Sequence, residues 1–210
     1  MSRWLLLAEF AALYIGAPLA IALFLPPRRM FTALFLLTLA GLILLWRTGG
    51  FDWRSLILGR RIPWQEVAGI ALAVLAIGSV ILWIVRPEVL FNLPLRQPRL
   101  LLFIWCLYPL LSALPQELIF RPLFFHRYAA LLPSGRAAIA LNAVVFSFAH
   151  LMYWSWVVAL LTFLGGWAFA RAYLRHGFPA AWLLHAVAGN MLFAVGMGYY
   201  FYSGNVVRPF

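Results

Sequence analysis

The stretch ALPQELIFR, residues 113–121, places three polar side chains, Gln116, Glu117 and Arg121, inside a long apolar run. A charged side chain at membrane depth costs on the order of a few kcal/mol, so such residues usually mark a functional site. Glu117 and Arg121 are four residues apart, which puts them on one face of a helix, where they can form an ion pair. We therefore expect a polar centre in the membrane at this stretch, with Glu117 paired to Arg121.

The composition of the whole chain is that of a membrane protein. Of the 210 residues, 66% are hydrophobic and 10% are charged, whereas about a quarter of the residues of a soluble domain are charged. Several apolar runs approach the ~20 residues that cross a bilayer as a helix, and the alternation typical of barrel strands is absent from the sequence. These observations predict an all-α fold, a polytopic transmembrane helix bundle of about seven spans, within a range of six to eight.

The apolar runs divide the chain into two parts. Residues 1–99 are predicted to contain N-terminal transmembrane helices and interfacial loops, and residues 100–205 to contain the core around the polar stretch. Residues 100–132 are long for one crossing and include three prolines, each of which removes a backbone donor. One long broken helix and two shorter segments both fit this pattern. The predicted spans are 4–25, 30–46, 66–85, 100–132, 137–153, 157–173 and 178–202.

The net charge of +11 comes from arginines that lie mostly at the ends of the apolar runs. This placement indicates topology control and contact with anionic lipid headgroups, and it argues against a nucleic-acid partner. With seven spans, the face of the N-terminus collects nine arginines and the other face collects six. The positive-inside rule then predicts a cytoplasmic N-terminus. We expect a multi-pass integral protein of the cell (plasma) membrane, with the lipid bilayer as its partner.

Three polar residues in later spans, His150, His185 and Asn190, accompany Glu117. At the helical rise of ~1.5 Å per residue, Glu117 lies about 22 Å before the turn that follows its helix, and His150 lies about 21 Å after that turn. An antiparallel hairpin brings the two residues to a similar depth. We therefore expect Glu117, His150 and His185 to converge in one polar cavity.

These residue types can hydrolyse an acyl bond in two ways. In the first, Glu117 takes a proton from water, a histidine polarises that water, and the amide of Asn190 donates a hydrogen bond to the developing oxyanion. In the second, Glu117, His150 and His185 hold a zinc ion and leave one coordination position for water. The sequence leaves both routes open.

The polar residues fall into three motifs that resemble those of a known family, the CPBP intramembrane proteases. This family includes CAAX-processing endopeptidases, bacteriocin-processing enzymes and the abortive-infection (Abi) proteins. Its first motif, Glu-Glu-x-x-x-Arg, is similar to residues 116–121, and its second, Phe-x-x-x-His, matches residues 146–150. Its third motif, His-x-x-x-Asn, is similar to residues 185–190. The resemblance covers residues 100–202.

The chain departs from the family motifs at two positions. Gln116 stands where the family has its first glutamate, the residue usually assigned to water activation, and Gly189 stands where the family has asparagine, with Asn190 one residue late. A glutamine can orient water but accepts no proton from it at neutral pH. Neighbouring residues on a helix point about 100° apart, so Glu117 replaces the missing glutamate only if the helix is rotated.

The resemblance implies an integral membrane endopeptidase, of a glutamic or a metal-dependent type, that cleaves a peptide or membrane protein within the membrane or near its cytoplasmic face. The glutamine at the first motif favours an alternative, a catalytically impaired member that binds a membrane peptide or protein as an immunity or scaffold protein. A small transporter or lipid-handling protein is a third interpretation. The implied site residues are Glu117 as base or as partner of Arg121, His150 and His185 as ligands of water or metal, Asn190 as oxyanion donor, and Gln116 at the water site.

Overall fold

The computed structural model describes residues 2–206, 208 and 209, and every regular element within them is a helix. Seven of the described helices are long and apolar enough to cross a membrane. This confirms the predicted all-α bundle and makes the chain a multi-pass integral membrane protein. The helices are α1 (Arg3–Phe24), α2 (Met30–Thr48), α3 (Trp64–Val85), α4 (Pro98–Arg127), α5 (Arg136–Phe148), α6 (Trp156–His176) and α7 (Phe178–Val195). The fifth span is α5 together with the short turns that follow it, as far as Tyr153.

Capping residues and glycines set the limits of the last helices. Ser155 accepts the backbone N–H of Val158 at 3.5 Å and so caps the start of α6. Gly177 joins α6 to α7 with a φ of 92°, and Gly196 follows α7 with a φ of 104°, a region of backbone conformation open mainly to glycine. Because the chain turns at Gly196, α7 is shorter than the predicted span to residue 202, and Gly198–Phe201 form a separate short helix.

Helix α4 is one continuous but irregular helix. It changes to the wider π-helical form at Pro109–Ala113 and again at Ile119–Arg127, and the regular turn Leu114–Leu118 lies between them. The prolines account for this irregularity because each lacks the N–H that the regular helical ladder uses. The helix ends at Arg127, before the predicted limit at residue 132. The polar stretch therefore lies between two wide turns, which rotate the side chains of the two ends of α4 relative to each other about the helix axis.

The helices enclose the polar stretch from both parts of the chain. Helix α7 packs against α3, α4 and α6, and α2 packs against the second half of α4. Helices α5 and α6 approach closely at Gly166, which has no side chain. A Cβ added there would lie 3.0 Å from the ring of Phe146 and 3.2 Å from Ala143 Cα. From α1, the hydroxyl of Tyr14 donates a hydrogen bond to the carbonyl of Ile119 at 2.8 Å. Helices of residues 1–99 therefore form part of the wall around the core.

The connecting segments lie on two faces of the bundle. Arg60 donates a hydrogen bond to the carbonyl of Arg175 at 3.1 Å on the face of the N-terminus, and Arg208 donates to that of Leu23 at 3.2 Å on the other face. We call the bundle face on which the N-terminus lies the N-terminal face, and the other one the opposite face. The N-terminal face carries residues 49–63, 128–135 and 177, and the opposite face carries residues 25–29, 86–97, 149–155 and 196–206.

Candidate active site

Glu117 and Arg121 form an ion pair inside the bundle. Both side chains are fully buried, and Arg121 donates from Nε to Glu117 Oε2 at 2.9 Å and from Nη2 to Oε1 at 3.2 Å. A two-point pairing of this kind offsets the cost of burying both charges, which is large when either charge lacks a partner. The i, i+4 spacing predicted this pair, and the structure confirms it.

His185 joins the pair from helix α7. Its Nδ1 lies 2.9 Å from Glu117 Oε1, and its ring stacks on Phe169 with centroids 4.6 Å apart and planes inclined by 12°. Arg121 and His185 together engage both carboxylate oxygens of Glu117. The carboxylate therefore belongs to a closed polar core within the helix bundle.

Asn142 of α5 is a further member of this core that the sequence reasoning missed. It is fully buried, accepts a hydrogen bond from Arg121 Nη1, and donates from Nδ2 to the carbonyl of Phe120 at 2.7 Å. The signal that could have identified it is an amide in the mostly apolar run of α5. We name four residues the buried ion cluster: Glu117, Arg121, Asn142 and His185.

A cavity of about 110 Å³ lies beside this cluster, between α1, α2, α4 and the turn after α5. A water molecule needs about 10–15 Å³ of such volume, so the cavity has room for several. We call it the polar cavity, although most of its wall is apolar. Its polar lining side chains are Ser112, Gln116, His150 and Tyr153.

His150 is oriented by the helix that precedes it. Its Nδ1 lies 2.8 Å from the carbonyl oxygen of Phe146. A carbonyl oxygen only accepts hydrogen bonds, so Nδ1 carries the proton and Nε2 of the neutral ring is an acceptor. Nε2 makes no hydrogen bond to the residues that the structure describes, and the side chain lines the polar cavity. This tautomer leaves a basic nitrogen for water in the cavity.

Gln116 lines the same cavity. Its Nε2 donates a hydrogen bond to Ser112 Oγ at 3.0 Å, and its Oε1 is buried with no partner among the described residues. Buried amide oxygens usually have a partner, and a water in the polar cavity would supply one. Gln116 thus contributes a second acceptor to the cavity.

Phe146 contacts both histidines, and its ring lies 4.9 Å from that of His150 and 5.6 Å from that of His185, measured between centroids. Gln116 and Glu117 are neighbours in the chain but point about 100° apart on the helix. The structure therefore groups Glu117 with His185, and Gln116 with His150. The sequence predicted that Glu117, His150 and His185 share one cavity. In the structure, His150 lines the polar cavity, and Glu117 and His185 do not.

Asn190 belongs to neither group. Its Nδ2 donates a hydrogen bond to the carbonyl of Trp105 at 3.2 Å, and the indole N–H of Trp105 donates to the carbonyl of Asn190 at 2.9 Å. This reciprocal pair fastens α7 to the first half of α4. One of the two N–H groups of the Asn190 side-chain amide is engaged in this helix contact, and the Oδ1 is buried with no partner among the described residues.

The side chains present do not fit the expected zinc site. In the described part of the chain, no three His, Cys, Asp or Glu side chains are grouped closely enough to hold a metal ion. Glu117 and His185 are adjacent, but Arg121 binds both oxygens of Glu117. A cation bound there would be repelled by the guanidinium of Arg121. These side chains suit acid–base chemistry better than metal ligation.

The polar cavity lies toward the opposite face of the bundle. It is lined by Ile21 near the end of α1, by Met30 at the start of α2 and by His150 in the turn after α5. All three positions are next to segments of that face. The sequence led us to expect both a cytoplasmic N-terminus and a site near the cytoplasmic face, and in this fold the two expectations are incompatible.

Comparison with known proteins agrees with the motifs. Residues 98–191 match the family described as type II CAAX prenyl endopeptidase Rce1-like. This segment includes all three motifs, at residues 116–121, 146–150 and 185–190. No curated protein and no solved structure matches the chain. The match confirms that residues 98–191 are similar to the Rce1-like CAAX proteases, the CPBP family that the three motifs resemble.

Proposed function

We propose that this protein is a membrane endopeptidase that hydrolyses a peptide bond with a water held between Gln116 and His150. One observation carries the proposal, namely two acceptors in the polar cavity. They are Nε2 of His150, whose Nδ1 is held by the carbonyl of Phe146, and the unpartnered Oε1 of Gln116. The family and the membrane-spanning helices support the reaction class, and these two acceptors support the place of the reaction.

The proposed reaction uses both acceptors. A water donates one O–H to Oε1 of Gln116 and the other to Nε2 of His150. Nε2 takes the second proton while the water oxygen bonds to the peptide carbonyl carbon, and the π electrons of the carbonyl move onto its oxygen. When that oxygen re-forms the double bond, the carbon–nitrogen bond breaks, and the imidazolium of His150 gives its proton to the leaving nitrogen. The products are a carboxylic acid and an amine.

In this proposal the buried ion cluster positions the reacting groups. Glu117 on α4 binds His185 on α7, and Arg121 on α4 binds Asn142 on α5. The cluster therefore fixes α4, which carries Gln116, against the helix that ends just before the catalytic histidine. We assign Glu117 and Arg121 as positioning residues. Of the two roles considered for Glu117, its pairing with Arg121 favours the supporting role over that of base.

The proposed substrate is a peptide or membrane protein that reaches the cavity from the opposite face. With nine arginines at the N-terminal face and six at the other, we place the N-terminus in the cytoplasm and the protein in the plasma membrane. The cavity then opens on the non-cytoplasmic side. Its wall includes Leu13, Phe31 and Leu34, so we expect an apolar substrate side chain beside the scissile bond.

A second function is favoured by one specific observation. Within the described residues, no carboxylate lines the polar cavity, and Glu117 is held by Arg121 and His185. A site without a free carboxylate can bind a peptide without cleaving it. The alternative is therefore a catalytically impaired member of the family that binds a membrane peptide or protein, as an immunity or scaffold protein does.

A cleavage assay separates the two functions. The purified protein in lipid nanodiscs is incubated with a panel of fluorogenic peptides that carry apolar side chains around the scissile bond. We expect cleavage by the wild type and a loss of about 10²-fold or more in His150→Ala, the effect typical of a general base. His126→Ala is the matched control, because His126 contacts the carbonyl of Gly49 at 3.0 Å on the N-terminal face, away from the cavity.

The contrary outcomes are distinct. If His150→Ala cleaves as well as the wild type, the assignment of His150 as base is overturned. If the wild type cleaves no peptide but binds one of them, with an affinity that falls in His150→Ala and not in His126→Ala, the binding function replaces the endopeptidase.

A further inference from the structure

A second cavity reaches His150 from the outer surface of the hairpin formed by α5 and α6. Its volume is about 430 Å³, and His150 lines it as well as the polar cavity. We call it the outer groove. Ala149 and Met152 also line the polar cavity. Phe148 and Leu151 line the outer groove instead. The turn after α5 therefore separates the two spaces, and His150 belongs to the wall of both.

The sizes of the two spaces suit different occupants. The polar cavity, at about 110 Å³, has room for water but is smaller than the pockets of about 300–1,000 Å³ that bind organic ligands. The outer groove falls within that range. It is open at the bundle surface, because its wall residues Val144 and Trp156 are 52% and 74% exposed. A peptide is larger than the polar cavity, so part of it has to lie in space that adjoins His150.

The wall of the outer groove is apolar. Four of its residues are aromatic: Phe148, Trp154, Trp156 and Phe163. Its two serines already make hydrogen bonds, because Ser147 Oγ donates to the carbonyl of Ala159 at 2.7 Å and Ser155 Oγ accepts the N–H of Val158 at 3.5 Å. Among the described residues, no Asp, Glu or Arg lines the groove. Such a wall suits an aromatic or large aliphatic side chain and disfavours a charged one.

The proposed reaction brings two parts of the substrate complex to His150. The attacking water lies in the polar cavity, between Gln116 and His150. The imidazolium of His150 then gives its proton to the leaving nitrogen, so this nitrogen also has to come within hydrogen-bond reach of the ring. With the water in the polar cavity, the outer groove is the larger space beside His150 for the residue that begins at the leaving nitrogen.

We propose that the outer groove is a specificity subsite, which binds an aromatic or large aliphatic side chain of the substrate residue that supplies the leaving nitrogen. This inference rests on the proposed endopeptidase function. No bond is made or broken in the groove. Its contacts hold the substrate so that the scissile bond stays beside the water and His150, and this positioning lowers the barrier to reaction.

The first test fills the groove. Two fluorogenic peptides differ only in the residue after the scissile bond, which is phenylalanine in one and alanine in the other. We expect the wild type in nanodiscs to prefer the phenylalanine peptide by about tenfold or more in kcat/KM, as an apolar pocket does. Ala159→Trp, at an exposed position of the groove wall, should abolish this preference and retain cleavage of the alanine peptide.

The matched control for the filled groove is Leu160→Trp. Leu160 is the next residue of α6, is 48% exposed and does not line the groove. The control adds the same side chain to the same helix about 100° away. It should therefore keep the wild-type preference for phenylalanine.

The second test locates the substrate residue without cleavage. The peptide carries benzoylphenylalanine after a scissile bond that is replaced by a non-hydrolysable methylene-amine, and irradiation links it to neighbouring side chains. We expect links to groove residues such as Trp156 and Phe163, and not to Leu13 or Phe31 of the polar cavity. Ala159→Trp should lower the yield of these links, whereas Leu160→Trp should not.

The outcomes distinguish this inference from the function on which it rests. If His150→Ala has lost cleavage while Ala159→Trp keeps the wild-type preference, the inference is overturned and the endopeptidase stands. Links confined to the polar cavity, or to no groove residue, overturn the inference as well and leave the groove as a surface that faces lipid. If Ala159→Trp does not fold, the links formed by the wild type decide. If the wild type cleaves no peptide, both proposals fail.

Discussion

Nδ1 of His185 lies 2.9 Å from Oε1 of Glu117, although 68 residues separate the two in the chain. This contact ties α7 to α4 and completes the set of partners around the Glu117 carboxylate, which Arg121 also binds at 2.9 Å. Glu117, the one buried acid among the described residues, therefore holds helices together. Substitutions at Glu117 should therefore change mainly the stability of the fold, whereas substitutions at Gln116 should change mainly the rate of hydrolysis.

Replacing Glu117 by glutamine should destabilise the protein. Arg121 would remain buried against a neutral amide, and removal of one partner from a buried ion pair typically costs about 3–5 kcal/mol. Unfolding in mixed detergent micelles measures this change. Glu88→Gln is the control, because Glu88 pairs with Arg86 at 3.3 Å on the surface, where a pair contributes about 0–1 kcal/mol. A Glu117→Gln protein of full stability without cleavage would instead identify Glu117 as the base.

Replacing Gln116 by glutamate should increase hydrolysis. The change places an ionisable carboxylate in the polar cavity beside His150, and a positioned general base contributes up to ~10²–10⁴-fold. Repulsion by Glu117 is limited because Arg121 neutralises that carboxylate. The peptide assay measures kcat, and Gln65→Glu at the exposed start of α3 is the control. A fall in kcat with unchanged stability would contradict the placement of Gln116 at the water.

Replacing Asn142 by alanine should also weaken the fold. The change removes the acceptor of Arg121 Nη1 and the donor to the carbonyl of Phe120, and each buried polar group left unpaired costs about 1–3 kcal/mol. The same unfolding titration measures the loss. Asn205→Ala removes only an exposed bond to the carbonyl of Tyr199 and should have little effect. Equal stabilities of the two variants would remove Asn142 from the buried ion cluster.

Cysteine labelling should place the two faces on different sides of the membrane. Native Cys106 is first replaced by serine, and single cysteines are then introduced as Ser134→Cys on the N-terminal face and Glu88→Cys on the opposite face. Both positions are exposed. If the N-terminus is cytoplasmic, an impermeant maleimide added to intact cells labels the cysteine at 88 and reaches that at 134 only after lysis. The reverse pattern would place the polar cavity on the cytoplasmic side.

Much of the architecture follows from local patterns. The length and apolar character of each run predict the spans, because the cost of unpaired backbone groups in lipid leaves few other structures. The pairing of Glu117 with Arg121 follows from i, i+4 spacing on one helix. Helix α4 was harder to predict, because its two π-helical segments at Pro109–Ala113 and Ile119–Arg127 change the direction in which later side chains point.

The site was predicted only in part, because contacts between helices depend on the rotation of each helix about its axis. Three motifs identify Gln116, His150 and His185 as site candidates, but they do not reveal that the Phe146 ring contacts both histidines. Asn190 lies one residue after the asparagine position of the third motif, and its side-chain amide donates a hydrogen bond to the carbonyl of Trp105. The space beside Gly189, at the motif position itself, is filled by Tyr108, which no motif includes.

The sequence by itself determined that this chain is a membrane helix bundle, that its polar residues lie in three motifs, and that Glu117 pairs with Arg121. These properties depend on hydrophobicity and on spacing along one helix. Only the tertiary structure decided that Glu117 lies in a closed cluster with His185 and Asn142, that Gln116 and His150 share a cavity, and that this cavity lies toward the face opposite the N-terminus. These properties depend on how whole helices pack, and that packing is set by contacts between residues far apart in the chain.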